Sequence, residues 1–165
     1  MELESVFGLP AHPFLVHAAV VLMPIAVIAL IVVAAVPRWR RWGAPVVLAA
    51  TLISFGAILL ARGSGEALEE GVDETELVEE HTEMGDQILP WTIGPVVLAT
   101  GLVVLDRRGG AVRTASGTVT AVAVALSVVV GWVAVWKIAE VGHSGAKAVW
   151  SDVGNGGERD QGGDD

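Results

Sequence analysis

Residues 14–36 read FLVHAAVVLMPIAVIALIVVAAV, a run of 23 residues with no Asp, Glu, Lys or Arg. A hydrocarbon layer roughly 30 Å thick is crossed by about 20 helical residues, so this stretch is long enough to span one. Helix is the state that lipid permits, because backbone groups there must bond within the segment and a barrel strand runs only about 9–11 residues. Three further uncharged windows follow at residues 44–61, 87–105 and 114–136, with 18, 19 and 23 residues. The sequence therefore predicts an all-α, integral membrane four-helix bundle. Pro13 suits a first helical position, and Pro24, Gly94 and Pro95 fall inside windows where neighbouring helices absorb a kink.

Composition agrees with the windows. Of 165 residues, 53% are hydrophobic and 18% charged, and the mean hydropathy is +0.61, which excludes an ordinary water-soluble domain. Four spans and their connections use nearly the whole length, so no separate catalytic domain is expected and independent enzymatic activity is not. With no cysteine, disulfides, iron–sulfur clusters and thiolate metal sites are excluded, and a metal or haem ligand must come from His, Met or carboxylate. A net charge of -9 argues against nucleic acid as a partner and leaves the lipid bilayer as the principal one.

Charge in the connections sets the expected orientation, since cytoplasmic loops hold the excess of Lys and Arg. The first connection carries Arg38, Arg40 and Arg41 and the third Arg107, Arg108 and Arg113, whereas residues 63–86 hold ten carboxylates and no Lys or Arg. Both termini are therefore expected outside a cell membrane. The start, Met1-Glu2-Leu3-Glu4, lacks the basic n-region of a signal peptide, so the first window is expected to be retained. Trp39, Trp42, Trp91 and Trp150 fit an interfacial belt, and Trp132 and Trp136 read as packing residues. Residues 1–153 form the transmembrane domain in this reading, with an outer acidic segment at 63–86. Residues 154–165, Gly-rich and acidic, read as a disordered tail.

All four histidines, His12, His17, His81 and His143, fall at the same expected membrane face. Neutral imidazole is the commonest metal ligand and also ligates haem iron axially, so imidazoles meeting in one layer could form a site. Leu77, His81, Met84 and Ile88 recur at steps of four, three and four, which puts His81 on an apolar stripe. Trp132, Trp136, Ala139 and His143 show the same steps if the fourth helix continues through residues 138–149. His12 and His17 are five apart, about 140° around a helix, and so cannot share a face. His12, directly before Pro13, is expected at the helix cap, and His17 is expected to point into the bundle. The acidic segment reads as a solvated face, with a weak cation-collecting surface as the sharper option. Thr75, followed by Val78 and Glu79, is a loose helix-start signal. No EF-hand, phosphate loop or HExxH pattern occurs.

Four stretches together resemble the domain of unknown function 2231 family, prokaryotic membrane proteins predicted to have four helices. They are Gly8-Leu9-Pro10-Ala11-His12-Pro13-Phe14-Leu15-Val16-His17, Gly65-Glu66-Ala67-Leu68-Glu69-Glu70, the Glu80-His81 segment ending in Gly85, and Gly142-His143-Ser144-Gly145. The resemblance covers roughly residues 8 to 154, and its pattern carries over at His12, Pro13, His17, His81, Gly142, His143 and Gly145. Some members are joined to Rieske or cytochrome c type domains, which implies membrane redox work. The chain departs where relatives often have GHxGG followed by an aromatic residue and another His. Ala146 stands for the second Gly and Ser151 and Asp152 occupy the later positions, which puts two complete haem sites in doubt.

The leading expectation is a multi-pass membrane protein holding haem b or one transition-metal ion at its outer face, as an electron-transfer subunit of a membrane redox protein. His17, His81 and His143 are the candidate cofactor ligands, His17 with either of the others for a bis-imidazole haem, and His12 joins them as a candidate metal ligand. The alternative is a non-enzymatic membrane scaffold with structural histidines. A cation or proton transporter fits less well, because the windows contain no carboxylate or Lys at the midplane.

Overall fold

The computed structural model describes residues 5–6, 8–69, 71–73, 75–108 and 117–155. A two-residue antiparallel pairing of β1 (Ser5–Val6) with β2 (Leu9–Pro10) turns at Gly8, whose φ of 79° suits a residue without Cβ. The rest is helical: α1 (Ala11–Ala35), a 3-10 turn (Pro37–Trp39), α2 (Arg40–Glu69), α3 (Glu76–Asp86), α4 (Leu89–Arg107) and α5 (Gly117–Asn155). Four stretches are long and apolar enough to cross a membrane: Ala11–Ala35, Pro37–Glu69, Glu76–Arg107 and Gly117–Ser151. Within the third, α4 carries the apolar window. The five carboxylates of α3 keep that helix outside it.

Each helix runs past its apolar window at one end or both, because hydropathy marks the lipid-buried part and helix propensity carries the segment into water. α1 starts at Ala11 rather than Phe14, and α2 runs to Glu69, where an i,i+4 pair between Arg62 and Glu66 lies past the expected end at residue 61. α5 continues through residues 138–149 as one helix of 39 residues, about 58 Å at 1.5 Å per residue, nearly twice a hydrocarbon layer. The Thr75 signal is a true cap: its Oγ1 accepts from the Val78 amide at 3.3 Å, with Glu76 and Glu79 favourably placed in the first turn. Residues 154 and 155 close α5. The remainder of the expected tail, and Arg113 of the third connection, lie outside the described residues.

Going round the bundle, α1 packs on α2, α2 on α4, α4 on α5 and α5 on α1, while α3 leans on the outer part of α5. Small residues allow the close approaches. A Cβ on Gly131 would stand 2.3 Å from Val27 Cγ1, and one on Gly94 would stand 2.4 Å from Val130 Cγ1. One core cluster, around Leu30, Val47, Ala99 and Leu102, fills one half, and a second, around Met23, Val27, Ile58 and Ile138, fills the other. The buried hydroxyls of Thr51, Ser54, Thr92 and Ser127 donate to carbonyls of their own helices, so they need no outside partner. Ile25, Ile28, Ile53, Val97 and Val129 are exposed on the outer surface, an arrangement that lipid solvates and water does not.

Two expectations about aromatic residues separate. Trp39, Trp42, Trp91 and Trp150 are exposed, as an interfacial belt requires. Trp132 and Trp136, expected to pack inside, are 66% and 59% exposed and stack on each other at 6.4 Å on the outer face of α5. In lipid a large apolar side chain loses little by facing outward, whereas close helix contacts select small residues.

Candidate functional site

The inward stripe of α1 begins with His12, Val16, Ala19 and Met23, at steps of four, three and four, and Ala19 and Met23 are buried. His12 is thus the second residue of α1 rather than its cap, which is Pro10. Its Nδ1 lies 2.8 Å from the Ala61 carbonyl of α2. A carbonyl can only accept, so Nδ1–H donates and the Nε2 lone pair stays free. The ring lies against Gly65, where a Cβ would come within 3.0 Å of His12 Cε1.

His81 keeps the stripe expected of it. It is half-buried, and Gly85 and Ile88 of the same stretch join it in lining the adjoining cavity. Its Nδ1 stands 2.9 Å from Ser144 Oγ on α5, and that hydroxyl donates to the Val141 carbonyl at 2.8 Å. When the hydroxyl donates to the Val141 carbonyl, its oxygen accepts from His81 Nδ1–H, and in that tautomer Nε2 keeps its lone pair. The far side of the ring abuts Gly145, where a Cβ would stand 2.8 Å from Cε1 and 3.2 Å from Nε2.

The two rings meet edge to face, with centroids 6.1 Å apart and planes at 80°. Beside them lies a cavity of about 70 Å³, lined by both imidazoles, Arg62, Val16, Ile138 and Gly142. At roughly 30 Å³ per water it has room for about two. Burial, and secondly the charge that His12 carries when protonated, lower the His81 pKa from its ordinary 6.5, against an opposing pull from the Val141 carbonyl. The pair therefore resists carrying two positive charges. Arg62 closes the edge, bonded to Asp86 at 3.0 Å and to Glu66 at 3.4 Å.

His17 and His143 lie elsewhere. His17 is exposed, and its Nδ1 is bonded to the Pro13 carbonyl at 2.6 Å. The 140° offset from His12 turns it outward once the stripe from His12 to Met23 faces in. His143 is exposed on the outer face with Trp132, Trp136 and Ala139, while its neighbour Ser144 is buried. The expected inward orientation of these two imidazoles is therefore corrected. Among the described residues, no three His, Asp or Glu side chains come together as a metal-holding group. Sequence reasoning missed the parts of Gly65, Gly145, Ser144 and Arg62. Spacing could have shown Gly145, since it falls on the inward stripe Gly131, Ala134, Ile138, Gly145 of α5.

The model of the family described as "Predicted membrane protein (DUF2231)" matches residues 8–156, which include the whole imidazole cluster. The chain belongs to the DUF2231 family. No curated protein and no solved structure matches it. Membership of DUF2231 and the four apolar helices together make this a multi-pass membrane protein.

Proposed function

We propose that this DUF2231 protein binds one transition-metal ion between His12 and His81, at the acidic end of the bundle, as a subunit of a membrane redox assembly. One observation carries the reading: the Nδ1 atoms are bonded to the Ala61 carbonyl and to Ser144 Oγ, which leaves Nε2 as the available nitrogen of each ring, and both rings line one small cavity. Metal-bound histidines commonly donate their other N–H to a carbonyl or similar acceptor, which fixes the tautomer and raises ligand basicity. Two metal–nitrogen bonds of about 2.0–2.1 Å plus two ring radii set the longest centroid separation that a shared ion allows, and 6.1 Å lies within it. The edge-to-face angle means that one ring turns to share an ion. Imidazole donors suit zinc, copper, iron or nickel, and any further ligand comes from water or a partner. When bound, such an ion supplies Lewis acidity or a one-electron couple. The chain's own residues set the tautomers, hold the rings and keep the site small.

Haem b fits these residues poorly. The 70 Å³ cavity is far below the roughly 300 Å³ at which ligand pockets begin, and Gly65 and Gly145 already back the two rings. His17 and His143, exposed on the outer surface, do not face His81 across a slot.

Metal analysis of the detergent-purified protein after dialysis against zinc or cuprous ion tests the proposal. One ion per chain is expected, with affinity at least tenfold weaker in His12→Gln and in His81→Gln and unchanged in His143→Gln. A folded, metal-free wild type would instead favour the scaffold reading, which the same two cross-helix bonds support. A Soret band after haem-replete expression would restore haem.

A further inference from the structure

At the opposite end of the molecule, Arg40 is 8% exposed. It donates to the Ala34 carbonyl at the end of α1 and, at 3.1 Å, to Thr120 Oγ1 on α5, and its buried Nε has no partner. Among the described residues no carboxylate pairs with it. Arg38, Arg41, Arg107 and Arg108 are exposed at the same end, where Asp106 is the lone acidic residue between positions 37 and 108 outside the acidic stretch. A buried guanidinium without a counter-ion is expensive, and surrounding cations raise the expense. An anion at this end would relieve both.

A groove runs to the same end along the seam of α4 and α5. Its volume is about 430 Å³, and it is bordered by Val97, Gly101 and Leu105 on α4 and by Val119, Val122 and Leu126 on α5. Its lining is almost wholly apolar, and it falls within two stretches apolar enough to cross a membrane. Leu105 is two residues from Arg107. Thr120, the acceptor of Arg40, lies between the groove residues Val119 and Ala123 in the chain.

We propose that this seam and its arginines bind one anionic phospholipid, an acyl chain lying in the groove and the phosphate at the arginine end. Charge complementarity selects the occupant. A zwitterionic lipid fills the groove equally well but brings no net negative charge to five arginines. The positive-inside reading also places this end at the leaflet whose surface is negative. The site is separate from the imidazole pair and does not depend on it.

The test uses the full chain in neutral detergent, with thermal stability and native mass spectrometry as readouts. It compares phosphatidylglycerol, phosphatidylcholine and inorganic phosphate. Phosphatidylglycerol is expected to raise the melting temperature and to be retained one per chain in preference to phosphatidylcholine. Arg40→Gln is expected to weaken retention about fivefold, the equivalent of roughly 1 kcal/mol per arginine near a charged surface. Should Arg40→Gln fail to fold, the exposed pair Arg107→Gln and Arg108→Gln carries the same expectation, and Val122→Trp, which fills the groove, should abolish retention. Equal retention of both lipids would overturn the proposal. So would equal stabilisation by inorganic phosphate, or a groove occupied by a second copy, seen as a dimer that Val122→Trp converts to monomer without changing lipid preference.

Discussion

At the residue scale, the two inward histidines differ in how readily the sequence discloses them. His81 sits on a stripe with Leu77, Met84 and Ile88 that any helical reading finds. His12 is obscured by Pro13, which draws attention to capping, although Val16, Ala19 and Met23 continue its stripe. The tautomers were not legible at all, because they depend on the Ala61 carbonyl and the Ser144 hydroxyl, which folding brings from 49 and 63 residues away. The lowered His81 pKa has a definite consequence. The unfolded chain binds the proton more readily than the folded one between the folded value and 6.5, so stability rises with pH across that window. The contribution is complete above about 6.5 and is lost as pH falls through the folded pKa. Imidazole NMR should place the His81 midpoint below 6.5, and His12→Gln should move it upward by removing the like charge. An unmoved midpoint would mean that the rings do not sense each other.

At the element scale, α5 shows where apolar periodicity misleads. Trp132, Trp136, Ala139 and His143 keep perfect helical spacing, yet they face outward, and the buried stripe is Ser127, Gly131, Ala134 and Ile138. In water, apolar surface has one place to go. In a bilayer it has two, and size then decides which face packs. The presence and order of the four spans were legible because length and hydropathy fix them, but their rotation was not. Two substitutions separate these rules. Gly131→Leu forces a side chain into Val27 and should lower stability by about 1–3 kcal/mol, read as loss of the folded fraction in a detergent–denaturant titration. Trp132→Leu, on the lipid face, should change it by less than about 0.5 kcal/mol.

At the scale of the whole molecule, the bundle has two chemically distinct ends. One gathers His12, Arg62, His81 and Ser144 with the carboxylates of α2 and α3. The other gathers Arg38, Arg40, Arg41, Arg107 and Arg108. Arg62 is a cation at the acidic end, and its bond to Asp86 ties the end of α2 to that of α3, while Glu66 pairs with it within α2. The asymmetry predicts orientation, and a chain without cysteine suits the measurement. A single cysteine at Asp73 should react with an impermeant thiol reagent in intact cells, and one at Arg41 should react only after the membrane is opened. The reverse pattern would invert the topology while leaving the bundle intact.

The central claim is that His12 and His81 share one ion through Nε2. X-ray absorption at the edge of the bound metal tests it most directly. Two imidazole nitrogens are expected at about 2.0–2.1 Å, with one imidazole shell remaining in either His12→Gln or His81→Gln. A first shell of oxygen alone, or one unchanged by both substitutions, would contradict it.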